Sequence, residues 1–328
     1  MRRILKKGLQ ALGVLVAFQL GSTAASADQV LATEVVVEEE MVEAIEKSEP
    51  CPDCAVNNGS VSFAMGNDIV TAYYFRGYLQ EKKGFITQPW AEVGFSLWES
   101  SSEDGFFTDL GFVLGNWNSI QTEQTLSTDG TGPGNWYEAD LYAGVSLGTS
   151  IGLSAGLTYV AYMYPNGAFA TVQELDLDFS YDDSSLYSGV LADYGFALSP
   201  YILFAFELEN GVGVGGKGTY FEVGVEPAIE VLGDTDYPIS ISVPIALGLS
   251  ADDYYYTTDA NGDTSNDDFG FASVGLSLGV PFAFFPTDFG SMGAAIGATY
   301  VAFGESLQDA NGGSGSDWYG TFGLSWEY

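Results

Sequence analysis

The last twelve residues of the chain alternate between two kinds of side chain. One set is apolar, with aromatic groups at both ends of the segment: Trp318, Gly320, Phe322, Leu324, Trp326 and Tyr328. The residues between them are mostly polar or small: Asp317, Tyr319, Thr321, Gly323, Ser325 and Glu327. Successive side chains of a strand point to opposite faces, so this segment predicts a strand with one apolar face. An apolar face bounded by aromatic residues is typical of a strand that crosses a bilayer, although the edge strand of a soluble β-sandwich alternates in the same way.

The same alternation recurs from Val61 onward, in runs of roughly ten residues separated by turns or loops. It predicts twelve strands, at about 61–76, 88–98, 106–117, 137–148, 151–163, 171–181, 200–210, 218–231, 238–250, 269–281, 290–303 and 317–328. Ten or fourteen strands are alternatives. The segment 186–198 is apolar enough for a thirteenth strand, but an even count is expected, so we interpret it as a long turn at the barrel mouth. Pro227 and Pro244 fall inside predicted strands and count against those boundaries.

Two features favour a membrane barrel over a sandwich. The polar face of the strands consists of Gly, Ser, Thr, Asp, Glu and Tyr, with almost no Lys or Arg. In addition, short and long connections alternate along the chain, as expected when short turns face the periplasm and long loops face outward. The sequence therefore predicts an all-β protein, a transmembrane antiparallel up-and-down β-barrel of about twelve strands, over residues 61–328.

The N-terminal part predicts export. Residues 1–27 have the basic, apolar and small-residue regions of a secretory signal peptide. Residues 28–60 are an acidic periplasmic leader, for which a lumen plug, a peptidoglycan contact or no role at all stay open. Cys51 and Cys54 are the only cysteines, and outside the cytoplasm they predict a disulfide, within one chain or between copies. A redox motif and half of a metal site are the alternatives.

Composition excludes several function classes. The chain has no histidine, which removes the Ser-His-Asp and Cys-His arrangements and the commonest general base. Its formal charge of −35 disfavours nucleic acid as a partner. Two acidic loop segments, Asp259–Asp263 and Asp309–Gly312, could bind a cation weakly, but their pattern is chiefly that of a turn. We therefore predict no cofactor, no metal site and no enzymatic activity.

Short motifs resemble the TorF-type putative porins. Tyr73, Phe75, Arg76, Gly77 and Gln80 match the opening strand of that family, whereas Thr71, Ala72 and Leu79 depart from it. Gln88 with Pro89, and the run Gly218 to Gly224, match two further segments. The resemblance covers residues 61–328. It implies an outer-membrane barrel of channel function and brings no catalytic residues with it.

The predicted function is passive diffusion of small solutes through a pore in the bacterial outer membrane. If the apolar faces meet lipid, the candidate pore-lining residues are Arg76, Glu92, Asp109, Glu138, Asp140, Glu174, Asp176, Asp178, Glu207, Glu209, Glu222, Glu226 and Glu230. A lumen lined by one sign of charge predicts a preference for cations. The expected partners are outer-membrane lipid, the barrel-assembly machinery through the C-terminal strand, and small solutes or cations. A structural barrel without a conducting path is the alternative.

Overall fold

The computed structural model describes residues 60–101, 105–123, 135–233, 235, 237–258, 262–285 and 289–328. The predicted signal peptide, most of the acidic leader and the Cys51–Cys54 pair lie outside the described residues. In the described ranges, no helix has the length and apolar character needed to cross a membrane.

Twelve strand positions form one closed antiparallel barrel. They are β1 (Val61–Val70), β4 (Ile86–Glu99), β5 (Phe107–Gln121), β6 (Trp136–Thr149), β7 (Leu153–Met163), β8 (Val172–Tyr181), β9 (Tyr201–Glu209), β10 with β11 (Thr219–Val225 and Ala228–Val231), β12 with β13 (Ile239–Ser242 and Ile245–Asp252), β16 (Phe269–Pro281), β17 (Ser291–Phe303) and β18 (Ser316–Glu327). Each position pairs with its neighbours in sequence order, and β1 pairs with β18 to close the sheet. The predicted fold class and strand number are confirmed.

Two short hairpins are not part of the barrel wall. β2 (Tyr73–Phe75) pairs with β3 (Tyr78–Glu81), and β14 (Tyr256–Thr258) pairs with β15 (Thr264–Asn266). We call the segment 73–81 the inner hairpin, because Tyr73, Tyr74 and Arg76 are buried inside the barrel. The end of the barrel that carries Val61 and Glu327 is called the terminal end, and the opposite end, from which both hairpins arise, is called the loop end.

The barrel buries its polar face. On β8, the buried side chains are Glu174, Asp176 and Asp178, whereas Leu175 and Leu177 between them are more exposed. A soluble sandwich would bury the leucines and expose the acids. The outward apolar residues include Leu114, Leu141, Leu157, Leu247, Leu276 and Ile296. Such an outward surface suits contact with hydrocarbon, where a closed sheet also leaves no backbone group unpaired at an edge.

Aromatic side chains concentrate on the outer surface near both ends of the barrel. At the loop end the exposed rings are Phe85, Trp136, Phe269 and Trp318, and at the terminal end they are Trp98, Phe106, Phe107 and Tyr328. Tryptophan and tyrosine favour the interface between lipid and water, because one part of the ring system is apolar and another forms hydrogen bonds. Two aromatic bands separated by aliphatic residues match the expected arrangement of a bilayer-spanning barrel.

Two prolines divide neighbouring strand positions. Pro227 separates β10 from β11, and Pro244 separates β12 from β13. Proline cannot donate a ladder hydrogen bond. Their carbonyl oxygens still accept hydrogen bonds, from Val243 N at 2.9 Å and from Gly275 N at 2.8 Å respectively. The predicted strands 218–231 and 238–250 were therefore each correct as one crossing and wrong as one uninterrupted strand.

The segment 182–200 is a long turn at the terminal end and not a barrel strand. It contains a short 3₁₀ helix at Ser184–Leu186 and helix α1 at Val190–Asp193. Its end folds back against β11, since Ala197 forms an antiparallel bridge with Ala228. Asp183 holds the turn together: its Oδ1 accepts hydrogen bonds from Leu198 N at 2.9 Å and Ser199 N at 3.0 Å.

A charge introduced on the outer face tests whether that face meets lipid. We expect Leu276→Arg, in the middle of β16, to lower the unfolding free energy by about 2–4 kcal/mol in lipid vesicles, because a cation is placed in hydrocarbon. Val280→Arg, nearer the terminal end, should cost about 0–1 kcal/mol. Urea titration of both variants checks this expectation. Equal costs at the two depths would contradict a bilayer-spanning belt.

Asp183 makes the turn 182–200 sensitive to acid. Burial raises the pKa of this carboxyl, but the hydrogen bonds from Ser199, Tyr187 and Leu198 outweigh that effect and hold the pKa below its ordinary value. The carboxylate therefore stabilises the folded chain fully above the ordinary Asp pKa of about 4, and this contribution is lost as the pH falls through the lower folded-state pKa.

We expect Asp183→Asn to destabilise the chain near neutral pH, with a difference from wild type that shrinks below about pH 4. The measurement is urea unfolding as a function of pH. Asp193→Asn, on an exposed residue of the same turn, is the control and should show little effect. A difference that does not change with pH would contradict the assignment.

Candidate functional site

The inner hairpin enters the lumen from the loop end directly after β1. The sequence predicted a first strand reaching residue 76, but β1 ends at Val70 and the chain then turns inward. This boundary is a correction. The alternation continues through 73–76, so the pattern alone does not separate a wall strand from a strand inside the barrel.

The hairpin contacts opposite sides of the barrel. Tyr73 packs on Trp117 of β5, with ring centroids 5.3 Å apart, and donates a hydrogen bond to Glu138 of β6 at 2.8 Å. Tyr74 lies against Tyr319 of β18 and Phe303 of β17, at 5.6 and 5.5 Å between centroids. The tip of the hairpin also hydrogen-bonds with β8, which lies opposite β18 in the ring of twelve positions, so the hairpin spans the lumen.

A tight turn with unusual backbone angles forms the tip of the hairpin. Arg76 and Gly77 occupy its two central positions, with φ of 46° and 84°. Positive φ at both positions is the signature of a type I′ turn, which favours Asn and Gly. Gly77 fits because a Cβ there would also lie 2.4 Å from Leu307. A left-handed backbone conformation costs arginine about 1–2 kcal/mol, so the contacts of its side chain must offset this conformational free energy.

Those contacts form a complete enclosure around the guanidinium of Arg76. Nη1 donates to Glu174 Oε2 at 2.7 Å and Nη2 donates to Glu174 Oε1 at 2.5 Å. The guanidinium carbon lies 4.4 Å from the ring centroid of Tyr220, 4.9 Å from that of Phe75 and 5.6 Å from that of Tyr254. Paired hydrogen bonds to one carboxylate and stacking on aromatic faces are the interactions for which arginine is better suited than lysine.

The backbone of the turn is fixed from the loop end. Tyr255 donates its hydroxyl hydrogen bond to the carbonyl oxygen of Arg76 at 2.8 Å. Asn311 donates to the carbonyl oxygen of Gly77 at 2.8 Å and accepts from Leu79 N at 2.9 Å. Asn311 directly follows helix α2 (Glu305–Ala310). The turn predicted at Asp309–Gly312 is thus the end of a short helix, and Asn311, the next residue, holds the hairpin by these two hydrogen bonds.

Half of the predicted pore-lining acids gather around the hairpin. Arg76 and Glu174 form the ion pair, and Asp176 Oδ1 lies 4.0 Å from Arg76 Nη2. Glu138, Asp140, Glu207 and Glu222 are buried in the same loop-end half. Glu207 accepts hydrogen bonds from Val212 N and Gly213 N at 2.6 and 2.9 Å, and Glu222 accepts one from Tyr201 at 2.7 Å. In the part of the chain that is described, Arg76 is the one buried cation beside these carboxylates.

The remaining candidates lie elsewhere. Glu92 accepts a hydrogen bond from Tyr142 at 2.6 Å, and Asp109 accepts one from Thr108 at 2.6 Å. Asp178, Glu226 and Glu230 lie toward the terminal end. Glu209 is exposed at the loop end, where it accepts a hydrogen bond from Gln173 at 3.0 Å beside a register shift between β8 and β9. Because of that shift, Glu209 lies apart from the buried acids. The alternation of side chains along β9 does not reveal this difference.

The two halves of the lumen differ in what lines them. On β16 the buried residues near the loop end are Gly270 and Phe271, and the buried positions after them are Gly275, Ser277 and Gly279. The loop-end half also holds the buried rings of Tyr73, Tyr74, Tyr137, Tyr162, Tyr220, Tyr254 and Tyr255. The site is therefore an aromatic and acidic layer built around the hairpin, and in the other half of the lumen β16 contributes glycine and serine.

Sequence reasoning missed the aromatic part of this site. Tyr162, Tyr220 and Tyr254 surround Arg76, with Tyr162 donating to Glu174 Oε1 at 3.2 Å. The available signal was the run of three tyrosines at 254–256 within an otherwise polar loop. Neither that run nor Asn311 can be connected to residue 76 without the fold. Within the described ranges, no group of three or more acids or cysteines is arranged to hold a metal ion.

Comparisons with known proteins give only distant structural likenesses. No protein-family model matches the chain, and no curated protein matches it. Among solved structures, the COG4313 outer membrane channel from Pseudomonas putida F1 is 12% identical, with a TM-score of 0.44, 82% of this chain covered and 95% of that one. The NanC porin is 10% identical, with a TM-score of 0.37 and coverages of 80% and 98%. LpxR from Salmonella typhimurium is 8% identical, with a TM-score of 0.39 and coverages of 81% and 99%.

These likenesses are too distant to carry an argument about function. The class of the protein is defined by its own strand pairing, which makes it a closed twelve-stranded antiparallel β-barrel. The resemblance to the TorF-type porins stays a prediction.

The Arg76–Glu174 pair can be tested with a double-mutant cycle. We expect Arg76→Met and Glu174→Gln each to cost about 3–5 kcal/mol, because each leaves a charged partner buried without its counter-charge. The double variant should cost clearly less than the sum, since neither charge remains. Urea unfolding of the three variants and the wild type gives the coupling energy. Additive costs would show that the pair does not hold the hairpin.

Proposed function

We propose that the chain forms a channel in the bacterial outer membrane, with its terminal end toward the periplasm. The observation that carries the proposal is the inverted burial of the barrel: carboxylates line the inside and aliphatic residues cover the outside. In water this outer belt would be unfavourable, whereas in lipid it is the required surface. Lipid is accordingly one partner, and the C-terminal strand β18 is the proposed contact of the barrel-assembly machinery.

Cations are the proposed preference of this channel. The buried acids outnumber the single buried cation among the described residues, and that cation is already paired with Glu174. A wall of low dielectric strengthens the field of such acids, which raises the local concentration of cations and excludes anions. The glycines and the serine that β16 contributes to the terminal half leave room for small hydrated solutes there.

The hairpin is the proposed limit on conductance. Its side chains reach from β5 and β6 to β17 and β18, so solutes must pass beside it or displace it. The same contacts favour a second candidate function, a structural barrel that does not conduct. The two candidates differ in what happens when the hairpin is removed.

Recordings in planar bilayers test the proposal. We expect the wild type to conduct with a higher permeability for K⁺ than for Cl⁻, because the lumen is acidic. A variant in which residues 73–81 are replaced by a short Gly-Ser linker should conduct several times more, since the hairpin no longer occupies the lumen. Asp178→Asn, which removes one lumenal charge, should lower the K⁺ to Cl⁻ permeability ratio.

Glu209→Gln provides the matched control for this experiment. It also removes one acid, but from an exposed position outside the buried group, so the permeability ratio should stay unchanged. Anion preference of the wild type would refute the proposed selectivity. Absence of conductance in both the wild type and the hairpin variant would favour the structural barrel.

A further inference from the structure

The residues around Arg76 form a binding site for a guanidinium group, and nearly all of them belong to the barrel and its loops. Glu174 is on β8, Tyr220 is on β10 and Tyr254 is in the loop after β13. Phe75 is the one ring of the enclosure that comes from the hairpin itself. The carboxylate and two aromatic faces would therefore stay in place if the hairpin left the lumen.

Neighbouring groups orient these residues without using Arg76. Tyr162 donates to Glu174 Oε1 at 3.2 Å, and Ser250 Oγ accepts a hydrogen bond from Tyr254 N at 2.9 Å. The hydroxyl of Tyr220 donates to Glu222, and its ring lies 5.2 Å from that of Tyr254. A site whose side chains are held by second partners keeps its geometry when the ligand is absent.

The site also offers an acceptor that Arg76 does not use. Asp176 is buried, and its Oδ1 has no hydrogen-bond partner although it lies 4.0 Å from Arg76 Nη2. The tether to the turn limits where the guanidinium of Arg76 can lie. The guanidinium group of a free solute has the same N–H donors but no such tether, so it can approach both carboxylates.

We propose that the lumen contains a receptor for guanidinium-type organic cations, which Arg76 occupies as an internal ligand. A basic solute of this class competes with Arg76, releases the hairpin and passes along the acidic lumen. The proposal names the class of solute that the channel would carry. Transport of that solute rests on the proposed channel function, whereas its binding to the site does not. Guanidinium suits the site better than Na⁺ or Mg²⁺, because it is weakly hydrated and stacks on aromatic faces.

Emptying the site is the direct test of binding. The full chain carrying Arg76→Ala, folded in detergent micelles, is titrated by calorimetry with methylguanidinium, which reproduces the end of the arginine side chain. Methylurea, which is similar in shape but neutral, is the matched control. We expect methylguanidinium to bind at least about tenfold more tightly than methylurea, because charge-assisted hydrogen bonds to Glu174 distinguish the two. The wild type should bind methylguanidinium about tenfold more weakly than the variant or worse, because Arg76 competes.

A second variant assigns that binding to the site. Adding Glu174→Gln to Arg76→Ala should abolish the preference for methylguanidinium over methylurea, since the paired carboxylate acceptor is lost. A preference that survives Glu174→Gln would overturn the proposal. Equal binding of methylguanidinium and methylurea to Arg76→Ala would overturn it as well.

A labelling measurement with Arg76 in place covers the case in which Arg76→Ala does not fold. Ala72 is 5% exposed, at the base of the hairpin. In a chain with Cys51→Ser, Cys54→Ser and Ala72→Cys, methylguanidinium should accelerate maleimide labelling several-fold, whereas methylurea should not. No difference between the two compounds would refute displacement of the hairpin. Because neither readout needs ion flow, a barrel that binds methylguanidinium without conducting would refute the channel and leave the receptor intact.

Discussion

The pairing of β1 with β18 is the constraint on which the rest of the structure depends. Residues from Ala64 to Val70 pair with residues from Glu327 back to Thr321, and this contact between the two ends of the described sheet turns an open sheet into a barrel. Closure gives every strand two neighbours and defines an inside. Only then can acidic residues be buried on one face while leucines are exposed on the other. The apolar outer belt and the hairpin inside are both consequences of closure.

The inner hairpin shows how one basic residue organises an acidic interior. A buried ion pair loses solvation energy, and its attraction compensates only when the geometry and the remaining hydrogen bonds are good. The Arg76–Glu174 pair meets this condition through two parallel hydrogen bonds and stacking on aromatic rings. Three of the other buried acids use neutral donors, which are tyrosine hydroxyls on Glu138 and Glu222 and backbone amides on Glu207. The abundance of tyrosine in the lumen thus follows from the need to satisfy carboxylates without adding basic residues.

Most of the strand boundaries follow from alternation, and the exceptions have physical reasons. The predicted strand at 269–281 coincides with β16, and the one at 171–181 differs from β8 by one residue. The first strand was predicted six residues too long, because the hairpin strand β2 continues the same pattern while packing against the inside of the wall. The segment 186–198 is apolar but forms a turn. In the sequence, only the expectation of an even number of strands argued against a further strand there. At Glu209 a register shift changes the surroundings of a side chain, and no pattern in a single strand reveals such a shift.

The amino-acid sequence by itself determined the class of fold and the number of crossings. These follow from local rules, since the two-residue period of a strand and the distribution of polar groups can be read along the chain. Only the tertiary structure decided that Arg76 is the tip of a hairpin and that its partners are Glu174, Tyr220 and Tyr254. Each of the three partners lies about a hundred positions or more from Arg76 in the chain, and they meet because closure brings β8, β10 and the loop after β13 around one point. Contacts across a lumen depend on curvature and register, which belong to the whole sheet and not to any one of its strands.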